Sequence, residues 1–248
     1  MINIFKGDFI NSMKYVIYLY KYNLSIIIMG SLIHFYTNNK IEIGVDEVGR
    51  GPLFGRVYVA AVILPKNDFD YHKLKDSKRF SSKKKIKEVS DYIKEKSIIW
   101  SIQYEDENVI DSVNILQATQ QAMHKCIKDI MKNIKEKNED ILLLIDGNYF
   151  KPLYQYNKEL DKIEEVSHVC IEKGDNTYCS IAAASILAKV ARDEYISELC
   201  NEYPDLIEKY NIQSNKGYGS SIHLDGIKKY GITSWHRKTF GICKNYKT

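Results

Sequence analysis

The sequence has no CxxC pair, no HExxH or HxxxH pair, and no run of the ~18 uninterrupted apolar residues that a membrane helix needs. Its five cysteines (Cys126, Cys170, Cys179, Cys200, Cys243) are scattered and odd in number. That argues against a disulfide framework and a structural zinc site, and for a reducing, cytoplasmic setting. The six histidines are as dispersed, so a metal in this chain is expected on oxygen ligands. Residues 41–248 contain no repeat, no low-complexity run and no Pro/Gly linker, and read as one domain. The most apolar stretch, 15–36, is interrupted by Lys21 and Asn23. It has a weak basic start, no convincing small-residue cleavage site and no arginine, so a signal peptide and a mitochondrial presequence both fit poorly. Residues 1–40 read as an N-terminal extension. A membrane or targeting segment, an upstream piece preceding a start at Met13 or Met29, a disordered extension and a lineage-specific packed segment all stay open, and no membrane partner is expected.

What is present is unevenly placed. The net charge is only +4, yet residues 209–248 carry eight Lys/Arg against the single acid Asp225. The body of the chain is correspondingly acidic. An acidic body with a basic C-terminal segment suggests a polyanion held beside a carboxylate site; the plainer alternative is a solvated basic tail. With 44% hydrophobic and 27% charged residues, the chain has ample material for a core.

From Lys40 onward the patterning predicts an α/β domain. Residues 41–46 alternate apolar and polar, and 57–64 (VYVAAVIL) form a continuous β-branched run, as a buried strand does. Ser81 and Ser82 precede an amphipathic helix to about Lys96. A strand is expected over 98–104, and a long helix capped by Asn114, with Ile115, Ala118, Ala122, Cys126 and Ile130 on one face. Strands at 141–145 and 166–171 follow, then a helix from about 178 to 200 whose Ala182–Ala183–Ala184–Ser185 run permits close approach to a sheet, then short helices near Leu206 and Leu224. This order predicts a mixed sheet flanked by helices, with a helical C-terminal segment.

Acids fall at strand ends and loops. Asp46 and Glu47 close the first strand ahead of Gly49–Arg50–Gly51, and Asp146 closes the strand at 141–145. Ligand sites in open α/β sheets lie outside strand ends. In a regular strand Asp46 and Glu47 point to opposite faces, so a break at Glu47, supplied by the glycines, is expected if both are to share a site. Asp175 lies in a loop before the long helix, where a dipole-stabilised residue is the alternative reading. Asp193 reads as an ordinary mid-helix surface acid. Three or four carboxylates in one place require a cation to stay ionised, and Mg²⁺ or Mn²⁺ suits oxygen ligands.

These residues resemble the ribonuclease HII family. The resemblance rests on DEVGRG (46–51) with Pro52–Leu53 and Gly55, LKDSK (74–78), IDGN (145–148), KGD (173–175), SIAAASILAKVARD (180–193), KGYGS (216–220) before His223, and WHRKTF (235–240), in the family's order over about 41–240. Arg79–Phe80 departs from the family's usual Lys–Leu, and residues 1–40 are unmatched. The resemblance implies a ribonuclease-H-like fold, with Asp46, Glu47, Asp146 and Asp175 as metal-binding catalytic carboxylates. It makes Gly49, Arg50 and Gly51 the turn that senses a ribose 2′-hydroxyl, and Tyr218 the ring that packs on the next deoxyribose. Lys75, Lys78, Lys189, Arg192 and the basic C-terminal segment are candidate phosphate contacts. The implied reaction is two-metal hydrolysis of RNA in RNA–DNA hybrids, and 5′ to ribonucleotides embedded in duplex DNA, leaving 3′-hydroxyl and 5′-phosphate ends. A monomer serving replication and repair is expected. Two rivals remain: another two-metal nuclease or strand-transfer enzyme of the same fold, which would cut all-DNA duplex, and a non-catalytic hybrid-binding module, which would be expected to lack one of the acids.

Overall fold

The computed structural model describes residues 32–37, 39–75, 77, 80–135, 140–157 and 160–246. Its centre is a five-stranded sheet whose strands lie in the order 99–105, 57–63, 41–48, 141–146 and 168–171. The strands are β1 (Ile41–Val48), β2 (Val57–Ile63), β3 (Ile99–Glu105), β4 (Ile141–Asp146) and β7 (His168–Ile171). β1, β2 and β3 form an antiparallel meander, while β4 joins β1 and β7 joins β4 in parallel. β5 (Tyr154–Asn157) and β6 (Lys162–Glu165) form a separate hairpin that the sequence reading did not anticipate. Its strands are short and mostly exposed, so no buried apolar run marks them.

The sheet is mixed and covered on both faces, as the continuous apolar runs of β2 and β4 require. On one face Ile43, Val45, Val59 and Ala61 pack with Leu143 and Ile145 against Ala122, Met123, Cys126 and Ile130 of helix α2 (Glu107–Asn133). On the other, Tyr58, Ala60 and Val62 meet α1 (Lys83–Lys96) and Ala183, Ala184, Leu187 and Ala188 of α3 (Cys179–Glu202). α1 begins where expected, with the Ser82 hydroxyl accepting the Lys85 N–H. α2 starts earlier than expected, at the Asp106 cap. Asn114, at φ 70°, kinks the helix and caps its second segment by accepting the Gln117 N–H.

The small residues of α3 position the site. Gly44 of β1 lies under the α3 N-terminus so closely that a Cβ there would sit 2.2 Å from the Ser180 carbonyl carbon. Five helix residues advance ~7.5 Å and two strand residues ~6.7 Å. α3 therefore tracks β1, setting Ser180 at Gly44 and Ser185 at Asp46. After α3 the chain forms α4 (Asp205–Tyr210), α5 (Ile212–Asn215) and α6 (Ser221–Tyr230), then returns to the β1–β2 loop. The Arg237 N–H donates to the Leu53 carbonyl there, the Leu53 N–H donates to the Gly217 carbonyl, and the Gly55 N–H reaches the Trp235 carbonyl. Ile33 bridges Tyr178 beside the start of α3, directly after the turn at Gly174–Asn176. The expectations for residues 1–31 lie outside the described residues.

Candidate active site

β1 and β4 are parallel neighbours whose ladder ends at Val45↔Ile145. The next residue on each strand is an acid, so Asp46 and Asp146 stand side by side at the C-terminal edge of the sheet. Asp46 is 4% exposed. It accepts the Glu47 N–H at 2.7 Å and bonds the Ser185 hydroxyl, which in turn lies 3.1 Å from the Ser77 hydroxyl. Burial, then the charges of Glu47 and Asp146, raise the Asp46 carboxyl well above the usual carboxylate range. Asp146 is cradled by the turn at Gly174–Asn176: the Gly174 N–H donates to Oδ1 at 2.6 Å, the Asp175 N–H also donates to it, and Asp46 shares a hydrogen bond with it. Burial and the nearby Asp175 still push Asp146 upward. Asp175 is buried at that turn and accepts the Asn176 side-chain amide at 3.1 Å.

Glu47 corrects one expectation. The strand does not break there; β1 continues to pair with β2 through Glu47↔Val59 and Val48↔Tyr58, and the break falls at Gly49, φ 97°. Glu47 nevertheless shares the site. β1 outruns β4 beyond Val45, which leaves that flank open, and Glu47 and Asp146 repel each other. Burial is the main cause that lifts Glu47 to about 7, against the pull of Arg50, whose Nη1 lies 3.4 Å from Oε1. Among the described residues, no three His, Cys, Asp or Glu side chains are drawn together tightly enough to hold a metal ion. The donor set still fits one: four carboxyls, oxygen only, three of them with their charge disfavoured by burial and by one another, which is the strain a divalent cation relieves.

The Gly49–Gly51 turn is held from beneath by a residue that sequence reasoning did not single out. Arg237 is 0% exposed and donates to the carbonyls of Gly49 (2.6 Å), Arg50 (2.9 Å) and Gly55 (2.8 Å). In a trans peptide C=O and N–H point oppositely. Anchoring the Gly49 and Arg50 carbonyls therefore turns the N–H groups of Arg50 and Gly51 away from Arg237, and they donate to no partner among the described residues. Arg192 is the second buried cation, and this overturns its reading as a phosphate contact. It is 0% exposed and reaches the carbonyls of Phe54, Arg56 and Lys216. A Cβ on Gly49 would sit 2.4 Å from its Nε. Nothing in composition separates such arginines from surface ones; the only signal was their place in the motifs at 180–193 and 235–240.

Tyr218 is half-exposed and lies beside the turn, its Cε1 3.6 Å from where a Cβ of Gly51 would be. Its carbonyl accepts from His223 Nδ1. His223 Nε2 faces His236 Nε2 at 3.0 Å, and His236 Nδ1 accepts the Thr233 N–H. One neutral tautomer of each ring satisfies all three bonds, with His236 donating to His223. Burial depresses both rings, His236 to about 3. Lys189 spends its charge on Asp193 at 3.0 Å, one helical turn away, as an ordinary surface pair does. Lys75 is exposed over the Phe80 ring, and Lys78 lies outside the described residues.

Comparison with known proteins adds family evidence. The family model described as Ribonuclease HII matches residues 43–243. The chain is 43% identical over 217 residues to "Ribonuclease HII" of Parabacteroides distasonis, covering 88% of this chain and 98% of that protein. Its fold is similar to the crystal structure of ribonuclease H2 from Pyrococcus horikoshii (TM-score 0.61, 21% identity, 82% of this chain and 95% of that one). It is also similar to that of Bst-RNase HIII in complex with Mn²⁺ (TM-score 0.57, 21% identity, 79% and 64%).

Proposed function

The chain belongs to the ribonuclease HII family and is an RNase H-type endonuclease; from that premise we propose that it cuts the RNA strand of RNA–DNA hybrids and cuts 5′ to ribonucleotides embedded in duplex DNA. The observation that carries this reading is the side-by-side placement of Asp46 and Asp146 at the ends of two parallel strands, with Glu47 and Asp175 beside them and the Gly49–Gly51 turn next in the chain. Asp46, Glu47, Asp146 and Asp175 would hold two divalent ions, Mg²⁺ or Mn²⁺. A neighbour of the same fold was solved with Mn²⁺, which supports that choice. Such ions supply an activated water and neutralise charge on the leaving 3′-oxygen.

The chain's own residues do the rest. Gly174 and Asp175 orient the Asp146 carboxyl through their N–H groups. Arg237 aims the Arg50 and Gly51 N–H groups outward, where a ribose 2′-hydroxyl can accept them. The half-exposed Tyr218 ring stands directly beside Gly51, so a sugar bonded to that backbone would pack on the exposed part of the ring. The hydroxyl is thereby read by fixed backbone rather than by a mobile side chain. Exposed Arg50 stands ready for a phosphate.

The test is a DNA duplex carrying one ribonucleotide, incubated with the folded protein and Mg²⁺ or Mn²⁺. A single cut 5′ to the ribonucleotide, with 3′-hydroxyl and 5′-phosphate ends, is expected. Cleavage of an all-DNA duplex at a comparable rate, or no cut at either metal, rules the reading out.

A further inference from the structure

His223 and His236 form a buried pair outside the carboxylate cluster, 0% and 1% exposed. The pair stands between two backbone groups of fixed polarity. At one end the Thr233 N–H, which can only donate, lies 2.9 Å from His236 Nδ1, and the Thr233 hydroxyl bonds the same nitrogen. At the other end the Tyr218 carbonyl, which can only accept, lies 2.9 Å from His223 Nδ1. The two Nε2 atoms face each other at 3.0 Å. The ends therefore set the direction of the whole chain of bonds. The Thr233 N–H donates to His236, His236 Nε2–H to His223, and His223 Nδ1–H to the Tyr218 carbonyl. Other rings hold the pair edge-on: Tyr210 meets both imidazoles, and Phe54 meets His236.

This relay joins the two sides of the proposed sugar site. His236 precedes Arg237, whose guanidinium grips the Gly49–Gly51 turn. The His236 backbone pairs with Phe54 of the β1–β2 loop. One segment thus anchors the turn through residue 237 and the Tyr218 loop through residue 236. That loop is held at every backbone group. The Lys216 N–H bonds the Ile212 carbonyl, and the Lys216 carbonyl accepts from Arg192. The Gly217 N–H donates to the Asn215 side chain, and the Gly217 carbonyl accepts the Leu53 N–H. The Tyr218 N–H reaches the Asn215 carbonyl, while the Tyr218 carbonyl accepts from His223 and from the Ser220 N–H. The half-exposed ring is what remains for a ligand, beside Gly51. A surface fixed before binding spares the cost of ordering it.

We propose that His223 and His236 are positioning residues for the substrate sugar: their relay sets the Tyr218 ring at a fixed place beside the Gly49–Gly51 turn. In this role, which rests on the nuclease reading, neither imidazole touches the substrate. Histidine suits both positions because each ring, while neutral, must accept at one nitrogen and donate at the other.

Two substitutions at His223 separate positioning from packing. An asparagine amide falls near the Nδ1 of the ring it replaces and can still donate to the Tyr218 carbonyl. A glutamine amide falls near Nε2 and meets only His236. On the single-ribonucleotide duplex, kcat/KM is expected to fall at least ~10-fold in His223→Gln, the scale of a misplaced positioning element, and to stay within ~3-fold of the parent in His223→Asn. In a Tyr218→Ala background, His223→Gln is expected to add no more than ~2-fold, because the two residues act as one unit. Equal losses in the two His223 variants, or additive losses in the double variant, overturn the proposal. Nitrogen–proton correlation spectra of the parent need no variant to fold. His223 is expected with its proton on Nδ1 and His236 with its proton on Nε2; any other pair of tautomers overturns the relay. If the parent makes no cut 5′ to the ribonucleotide, the nuclease reading fails and the relay's role with it. If the parent cuts and His223→Gln matches it, the relay alone fails.

Discussion

Asp146→Asn separates charge from shape. The amide keeps an oxygen for the Gly174 N–H, so the fold is expected to hold. Turnover is expected to fall at least ~100-fold, the scale seen when one charge-stabilising group is removed, with hybrid affinity within a few-fold of the parent. Single-turnover cleavage and fluorescence anisotropy check this; equal loss of both would assign Asp146 a structural role. Arg237→Lys is the complementary test. Lysine keeps the charge but not the fork that grips three carbonyls. Loss of ~10–100-fold in kcat/KM on the single-ribonucleotide duplex is expected, the cost of misplacing a positioning element, with Mg²⁺ affinity unchanged. An unaltered ratio of ribonucleotide to all-DNA cleavage would show that Arg237 acts on stability alone. These two residues differ in legibility. Asp146 stood out as an acid ending an apolar strand, whereas Arg237 lay among other basic residues of a tail whose plainer alternative reading is a solvated one.

At the scale of elements, the periodic segments of 41–200 were readable because burial imposes a period of two or of 3.6 on them. Departures came where a local conformation replaced that pattern. Asn114, at φ 70° and ψ 164°, sits in a region that almost only glycine visits, and it also caps the second segment of α2. Asn114→Ala loses the cap, worth about 1 kcal/mol, and retains the strain. Asn114→Gly also loses the cap but relieves the strain. Urea denaturation should find the alanine variant destabilised by roughly 1–3 kcal/mol and the glycine variant close to the parent. Equal losses would mean that the strain is not released. The β5–β6 hairpin was missed for the opposite reason: it buries too little apolar surface to leave a period.

At the scale of the whole molecule, the site is a set of carboxyls gathered against their own repulsion. Folding raises the pKa of Asp46, of Glu47 to about 7, and of Asp146. A raised carboxyl binds protons more readily folded than unfolded. Its contribution is therefore fully present below the ordinary carboxylate pKa near 4.5 and is lost as pH rises through about 7. A divalent ion held by the same groups must displace those protons, so its affinity grows over that range. The increase in Tm caused by Mg²⁺ is accordingly expected to be larger at pH 8 than at pH 6. Thermal scans at both pH values, with and without the ion, check this; an equal or larger increase at pH 6 would place the ion elsewhere.

By itself the sequence determined the mixed sheet and the three helices that cover it, because those follow from burial periodicity, and it put forward the four acids from their strand-end places and from motifs in order along the chain. Only the tertiary structure decided how the acids meet and what supports them. The end of the β1–β4 ladder, not a break at Glu47, opens the flank that Glu47 shares with Asp146. Arg192 and Arg237, 45 residues apart in sequence by their numbers, converge beneath the Gly49–Gly51 turn. Whether an arginine faces solvent or a row of carbonyls depends on which surfaces the fold brings over it, and residue type carries no record of that.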